Sequence, residues 1–230
     1  MSQIKKLHEI EKIKQACQIT DRIFAKMRIF LVTSLKKGNL TEKQLKSWLL
    51  DQIKQAWCRP SFHPIIAAWA NAAHPHWKAD DTVLHGFVVI DFGVIYKKYM
   101  SDMTRTIYVG VANEEEKKLY TTVLQAQLDS MQYIKPGRYC KDAHWIAATT
   151  LGKHKKYFIH SLWHGIGTII HENPRINPKS KSFFKKNMCV TVEPGVYIEW
   201  NLWIRIEDTV LVTENWYEQL TKSTKKLLFF

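Results

Sequence analysis

No run of apolar residues in this 230-residue chain approaches the roughly 20 that a membrane-crossing helix needs. The first residues alternate charge with isolated apolar side chains, a helical pattern and not a secretory leader. Cysteine is scarce: Cys17, Cys58, Cys140 and Cys189 lie far apart in no paired metal spacing, and read as buried thiols of a reducing compartment. Glycine is scarce as well, with nine residues, matched by an unusual nine tryptophans. Acidic residues number 21 against 34 Lys and Arg, a net charge of +13. The lysines are scattered and no aromatic–basic stripe accompanies them, so a solvated surface is expected and no nucleic-acid partner. What remains is an ordinary globular composition, 46% hydrophobic and 24% charged, in a chain suited to one compact domain or one domain of two similar halves. The expected setting is cytoplasmic, away from membranes.

Apolar spacing predicts the elements. Ile4, Leu7, Ile10, Ile13, Ala16, Ile23 and Met27 keep a helical rhythm. Thr41 and Gln44 fit a capping box ahead of a second helix whose apolar face is Leu45, Leu49 and Ile53. From Val83 the pattern turns to strands, Val88–Ile90 and then Ile95 and Tyr96, with a turn at Gly93. Asn113 caps a third helix with Leu119, Val123 and Ala126 inward, ended by Pro136-Gly137. A fourth helix is expected over about 142–153, followed by short strands around Ile159, 190–198 and 204–212. Helices, strands, helices and strands in that order predict two α+β halves of similar plan around a curved antiparallel sheet.

Five polar residues sit in strand-like apolar surroundings. Asp91 ends the run Val88-Val89-Ile90, and Asp102 follows Tyr99-Met100-Ser101. His164 precedes Gly165-Ile166-Gly167, Glu193 follows Val190-Thr191-Val192, and Glu207 follows Ile204-Arg205-Ile206. Carboxylates are seldom buried unless paired or bound to metal. Four of them with one imidazole can hold two divalent ions if two carboxylates bridge, and two ions roughly 3.5–4 Å apart can share a hydroxide and polarise a carbonyl. So oxygen-rich a set favours Mn²⁺, with Co²⁺, Zn²⁺ or Fe²⁺ as alternatives.

In these stretches the chain resembles the pita-bread metallopeptidases: methionine aminopeptidase, Xaa-Pro aminopeptidase and prolidase. The stretches, in order, are 71–76 (NAAHPH), 90–93 (IDFG), 101–106 (SDMTRT), 164–167 (HGIG), 171–174 (HENP), 193–197 (EPGVY) and 205–208 (RIED). Each is weak alone; the ordered series, over nearly the whole chain, is specific. The resemblance implies that Asp91 chelates one metal ion, that Asp102 and Glu207 bridge both, and that His164 and Glu193 complete the second site. It implies that Glu193 takes or passes a proton, and that His76 and His171 bind substrate and stabilise the tetrahedral intermediate. His74 is the neighbouring alternative to His76, which is preferred because it follows Pro75. The 101–106 stretch resembles the Xaa-Pro branch more than the methionine branch, as do His160 and Arg205, which the resemblance implies lie near the proline-binding site. The activity implied is metal-dependent hydrolysis of N-terminal Xaa-Pro bonds by the shared hydroxide. Methionine aminopeptidase is the alternative, and a pita-bread binding module without catalysis is another. One catalytic domain over residues 1–230 is expected, without the N-terminal domain usual in Xaa-Pro aminopeptidases. A peptide is the expected partner, and a homodimer is an assembly left open.

The tryptophans depart from this pattern. Trp163, Trp203 and Trp69 stand where the family has glycine; Trp57 and Trp216 stand where a helix end or a turn favours it, and Trp77 follows His76. Such places require φ > 0 or a close backbone approach that a Cβ obstructs. We read these tryptophans as UGA codons that the source translates as glycine. Nine glycines and nine tryptophans would together be about 8% of the chain, near the ~7% average. Nine UGG codons in the coding DNA would refute this reading.

Overall fold

The computed structural model describes residues 3–69, 71, 77–198 and 202–230, with the backbone alone at Trp163. Helices α1 (Leu7–Leu35) and α2 (Glu42–Gln55) precede six strands: β1 (Arg59–Pro60), β2 (Ile65–Ala68), β3 (Gly86–Phe92), β4 (Val94–Tyr96), β5 (Tyr99–Met100) and β6 (Met103–Val109). Helices α3 (Glu114–Tyr133) and α4 (Cys140–Thr150) precede seven more: β7 (Trp163–Gly165), β8 (Glu172–Ile176), β9 (Cys189–Val192), β10 (Gly195–Ile198), β11 (Leu202–Arg205), β12 (Asp208–Val212) and β13 (Tyr217–Gln219). All the strand pairs are antiparallel. One sheet in each half carries most of the paired backbone: β2-β3-β6 in the first, and β13-β12-β9-β7-β8 in the second.

Local sequence explains the helix starts. The Thr41 hydroxyl accepts from Gln44 N at 3.2 Å while Gln44 Oε1 accepts from Thr41 N at 2.9 Å. The same reciprocal cap joins Asn113 and Glu116. One apolar core gathers α1 and α2 against β2, β3 and β6; another gathers α3 and α4 against β9 and β12. Gly93 turns the chain between β3 and β4 because a Cβ there would lie 1.8 Å from the Ser101 carbonyl oxygen.

The expectations fail where a periodic pattern was extended past its element. Ile10, Ile13, Ala16, Ile23 and Met27 are buried, but Ile4 is 44% and Leu7 79% exposed. Residues 3–6 precede the helix, so its period does not apply to them, and Lys5 turns inward instead. The fourth helix starts two residues early and yields to a 3-10 segment over Gly152–Tyr157. Ile159 lies in a loop and is exposed. Val83 makes an isolated bridge to Thr41, and the strand begins only at Gly86.

Two of the tryptophans at glycine-like positions have left-handed backbone: Trp57 with φ 58° and Trp69 with φ 47°. Trp57 follows the C-cap Ala56 of α2, the position where glycine commonly ends a helix. Its side chain is 97% exposed, so little packing offsets the conformational penalty. Trp57→Gly is therefore expected to stabilise the fold by about 1 kcal/mol, a rise in Tm of roughly 2–4 °C for a chain of this size. Thermal unfolding of the two proteins checks this; an unchanged or lower Tm would contradict it. Trp216, by contrast, is not among the residues with positive φ.

Candidate metal centre

Strand pairing assembles the site. Asp91, near the end of β3, faces Thr104 of β6 in register, and Asp102 immediately precedes β6. Glu207 sits between β11 and β12, where its backbone N–H donates to the Thr104 carbonyl at 3.1 Å. This bond links the two halves. His164 is the centre of β7, and Glu193 follows β9 with its N–H on the Leu162 carbonyl. All five residues expected to bind metal thus meet, although 116 positions separate Asp91 from Glu207.

The distances are short. Ligand atoms of Asp102, His164 and Glu207 lie within 4.8 Å of one another, all buried. His164 Nε2 is 3.5 Å from Asp102 Oδ2 and 3.4 Å from Glu193 Oε1. Neighbouring hydroxyls aim the carboxylates: Thr104 Oγ1 donates to Glu207 Oε2 at 2.6 Å, and Thr191 Oγ1 to Glu193 Oε1 at 3.2 Å. Arg205 Nη2 pairs with Asp91 Oδ2. Beneath the site Arg105 donates to the Glu207 carbonyl and pairs with Asp208 at 2.6 Å, and Lys225 pairs with Asp208 at 2.8 Å.

One oxygen of each of three carboxylates, Asp91 Oδ1, Asp102 Oδ1 and Glu207 Oε1, is buried without a hydrogen-bond partner among the described residues. Such oxygens are costly to bury. A divalent cation is the partner that fits them, and two of these residues, Asp102 and Glu207, have ligand atoms within 4.8 Å of a His164 nitrogen. The titration of the site reflects the same crowding. Burial, with repulsion from Asp102 and Asp91, pushes Glu193 up to about 7 against the pull of His164 and Arg205. Burial also raises Asp91 to about 6, and Glu207 well above the usual carboxylate range. At His164 burial acts downward, but Asp102 and Glu193 outweigh it and the imidazole is raised.

A pH dependence follows. Metal must displace the protons that Glu193, Glu207 and His164 hold, so apparent affinity should rise with pH up to and through about 7, where Glu193 titrates, by roughly tenfold per unit for each proton released. Calorimetric titration with Mn²⁺ in buffers of different ionisation enthalpy measures both affinity and protons. Affinity flat across this range would contradict it.

Beside the carboxylates, His160, Tyr197 and Arg205 form a second cluster. The Tyr197 hydroxyl meets His160 Nε2 and accepts from Arg205 Nη1 at 3.2 Å. Burial and the Arg205 guanidinium push His160 down to about 3. Trp203 is fully buried against Tyr197, its ring 4.7 Å under the Arg205 guanidinium and its indole N–H without a partner among the described residues. The His171 ring lies edge-on to His164, centroids 4.5 Å apart. His76, with the alternative His74, falls outside the described residues. Sequence reasoning gave Tyr197, Thr104 and Thr191 no role; the only signal was that each stands inside or beside a matched stretch.

A family model described as metallopeptidase family M24 matches residues 11–214. The Xaa-Pro dipeptidase of Pyrococcus furiosus is 39% identical over 230 residues, covering 98% of this chain and 65% of the relative. The solved Xaa-Pro dipeptidase from Bacillus anthracis superposes with a TM-score of 0.93 at 36% identity, covering 99% of this chain and 64% of that one. The X-Pro aminopeptidase from Thermotoga maritima superposes at 0.91 with 33% identity, covering 99% and 65%. The chain therefore spans slightly less than two-thirds of the length of these relatives. Its fold is the pita-bread α+β fold.

Proposed function

We propose that this chain, which belongs to metallopeptidase family M24, hydrolyses N-terminal Xaa-Pro peptide bonds with two divalent ions. The observation that carries this reading is the buried cluster of Asp102, His164 and Glu207, whose two carboxylates, like that of Asp91, each keep an oxygen without a hydrogen-bond partner among the described residues. Asp91, Asp102, His164, Glu193 and Glu207 would hold the ions; Mn²⁺ suits the donors best, ahead of Co²⁺, Zn²⁺ or Fe²⁺. When bound, the ions supply an activated water and an electrophile for the scissile carbonyl.

The chain's own residues supply the rest. Glu193, oriented by the Thr191 hydroxyl at 3.2 Å, would take a proton and pass it on. His171, and His76 by the family pattern, would donate to the carbonyl oxygen as charge develops on it. His160, Tyr197 and Arg205 would form one wall of the proline subsite, where a neutral His160 packs against an apolar ring without a buried charge. The names of the relatives favour this specificity over that of a methionine aminopeptidase. That all five candidate ligand residues are present weighs against a binding module without catalysis.

The test is hydrolysis by Mn²⁺-loaded protein of an Xaa-Pro dipeptide, an Xaa-Pro-Yaa tripeptide and a Met-Ala peptide. Cleavage of the first or second is expected, and their ratio sets dipeptidase against aminopeptidase. Cleavage of Met-Ala alone would refute the assigned specificity.

A further inference from the structure

Lys5 is only 5% exposed, an unusual place for a lysine outside any element. Its backbone N–H donates to the Asn187 carbonyl at 2.8 Å, and its ammonium pairs with Glu172 Oε2, both side chains buried. The other oxygen, Glu172 Oε1, accepts from the backbone N–H groups of Thr168 and Ile169 at 2.9 and 3.3 Å. Gly167 leaves room for this arrangement: a Cβ there would lie 2.4 Å from Glu172 Oε1 and 2.7 Å from Lys5 Nζ.

Glu172 opens β8 directly after His171, and pairs with Gly165 directly after His164. The loop 166–171 is thus closed at its base by strand pairing and tied inside by the Glu172 carboxylate. That carboxylate is compensated by an ammonium 167 positions away in sequence. A buried ion pair is weak evidence for stability, but it can fix one conformation, and losing one partner leaves an uncompensated charge. Without Lys5, the buried Glu172 carboxylate would lose its compensating charge and turn away, and the N–H groups of Thr168 and Ile169 would lose their anionic acceptor.

Taking His171 as the substrate-facing residue of the proposed peptidase, we propose that Lys5 is a positioning residue which, through Glu172, holds the 166–171 loop and sets His171 against the metal centre. Lys5 touches neither substrate nor ion in this role. Displacing a catalytic group by about 1 Å can lower the rate ~100-fold, so Lys5→Met is expected to lose up to about that factor in kcat/KM. Metal stoichiometry should be unchanged, and Lys5→Arg should recover most of the activity. Because the effect passes through His171, Lys5→Met should add little in a His171→Ala background.

The experiment combines these variants on the Mn²⁺-loaded full chain with amide hydrogen exchange of Thr168 and Ile169. Exchange at both amides should quicken at least tenfold in Lys5→Met and return in Lys5→Arg. If Lys5→Met does not fold, the charge-neutral Lys5→Met/Glu172→Gln pair replaces it, with the same quickened exchange and the same suppression by His171→Ala. Unchanged exchange would overturn the assignment. So would wild-type kcat/KM in the folded variant, or a full additional loss on top of His171→Ala. Should the wild-type protein bind metal yet cleave no Xaa-Pro peptide, the peptidase reading fails, and the exchange data still decide whether Lys5 holds the loop.

Discussion

Asp102→Ala is expected to lower kcat/KM on an Xaa-Pro substrate at least about 1,000-fold, a loss of several kcal/mol of the kind that metal-held charge stabilisation supplies. Asp102 lies beside His164 and within ligand reach of Glu207, with one oxygen unpartnered among the described residues. Under the proposed assignment, removing it would take away one of the two shared carboxylates and leave Glu207 alone in that role, so metal would be held more weakly. The folded state should survive, because the variant also relieves like-charge repulsion on Glu193 and Glu207. Metal content by elemental analysis and kcat/KM check the prediction together. Retained activity with full metal occupancy would contradict the bridging role.

Trp163→Gly is expected to raise kcat/KM, by up to ~100-fold if the ligand beside it is displaced by about 1 Å. Residue 163 begins the three-residue strand β7, which sits between β8 and β9 and carries His164. Backbones pack closely along this strand. At Gly165 a Cβ would lie 2.3 Å from the Asn173 carbonyl oxygen, and the register shifts between His164 and Gly165. A glycine at 163 would let the strand carrying the one imidazole of the set settle without a large side chain beside it. The codon reading makes the same demand at Trp203. There, replacing a fully buried tryptophan native to its site should destabilise by roughly 3–5 kcal/mol, whereas a site built for glycine should lose little. Kinetics of Trp163→Gly and urea unfolding of Trp203→Gly therefore test one idea from two directions. Activity no higher in the first, with a large stability loss in the second, would mark the tryptophans as native.

Short-range chemistry was legible in the sequence. The caps at Thr41 and Asn113 depend on residues three apart, and both side-chain bonds form. The five carboxylate and imidazole positions were legible because charge inside an apolar strand run is rare. What stayed hidden depends on distant partners. Lys5 read as one charge among many until Glu172 gave it a reason to be buried. Arg105 read as part of a motif, yet it braces Glu207 from below by donating to its carbonyl, while Asp208 pairs with both Arg105 and Lys225. Tyr197 joins His160 to Arg205 only because β10 and β11 pair Tyr197 with Trp203 and Gly195 with Arg205. Ile159 misled because an exposed apolar residue in a loop looks locally like a strand.

The central claim is that the Asp91, Asp102, His164, Glu193 and Glu207 cluster holds two ions that make this chain an Xaa-Pro peptidase. The most direct measurement is the rate of Xaa-Pro dipeptide hydrolysis as Mn²⁺ is titrated into protein stripped of metal by chelation. The account predicts no turnover at the start and a rise that levels off at two equivalents. Turnover by the stripped protein, or none with two equivalents bound, would contradict it.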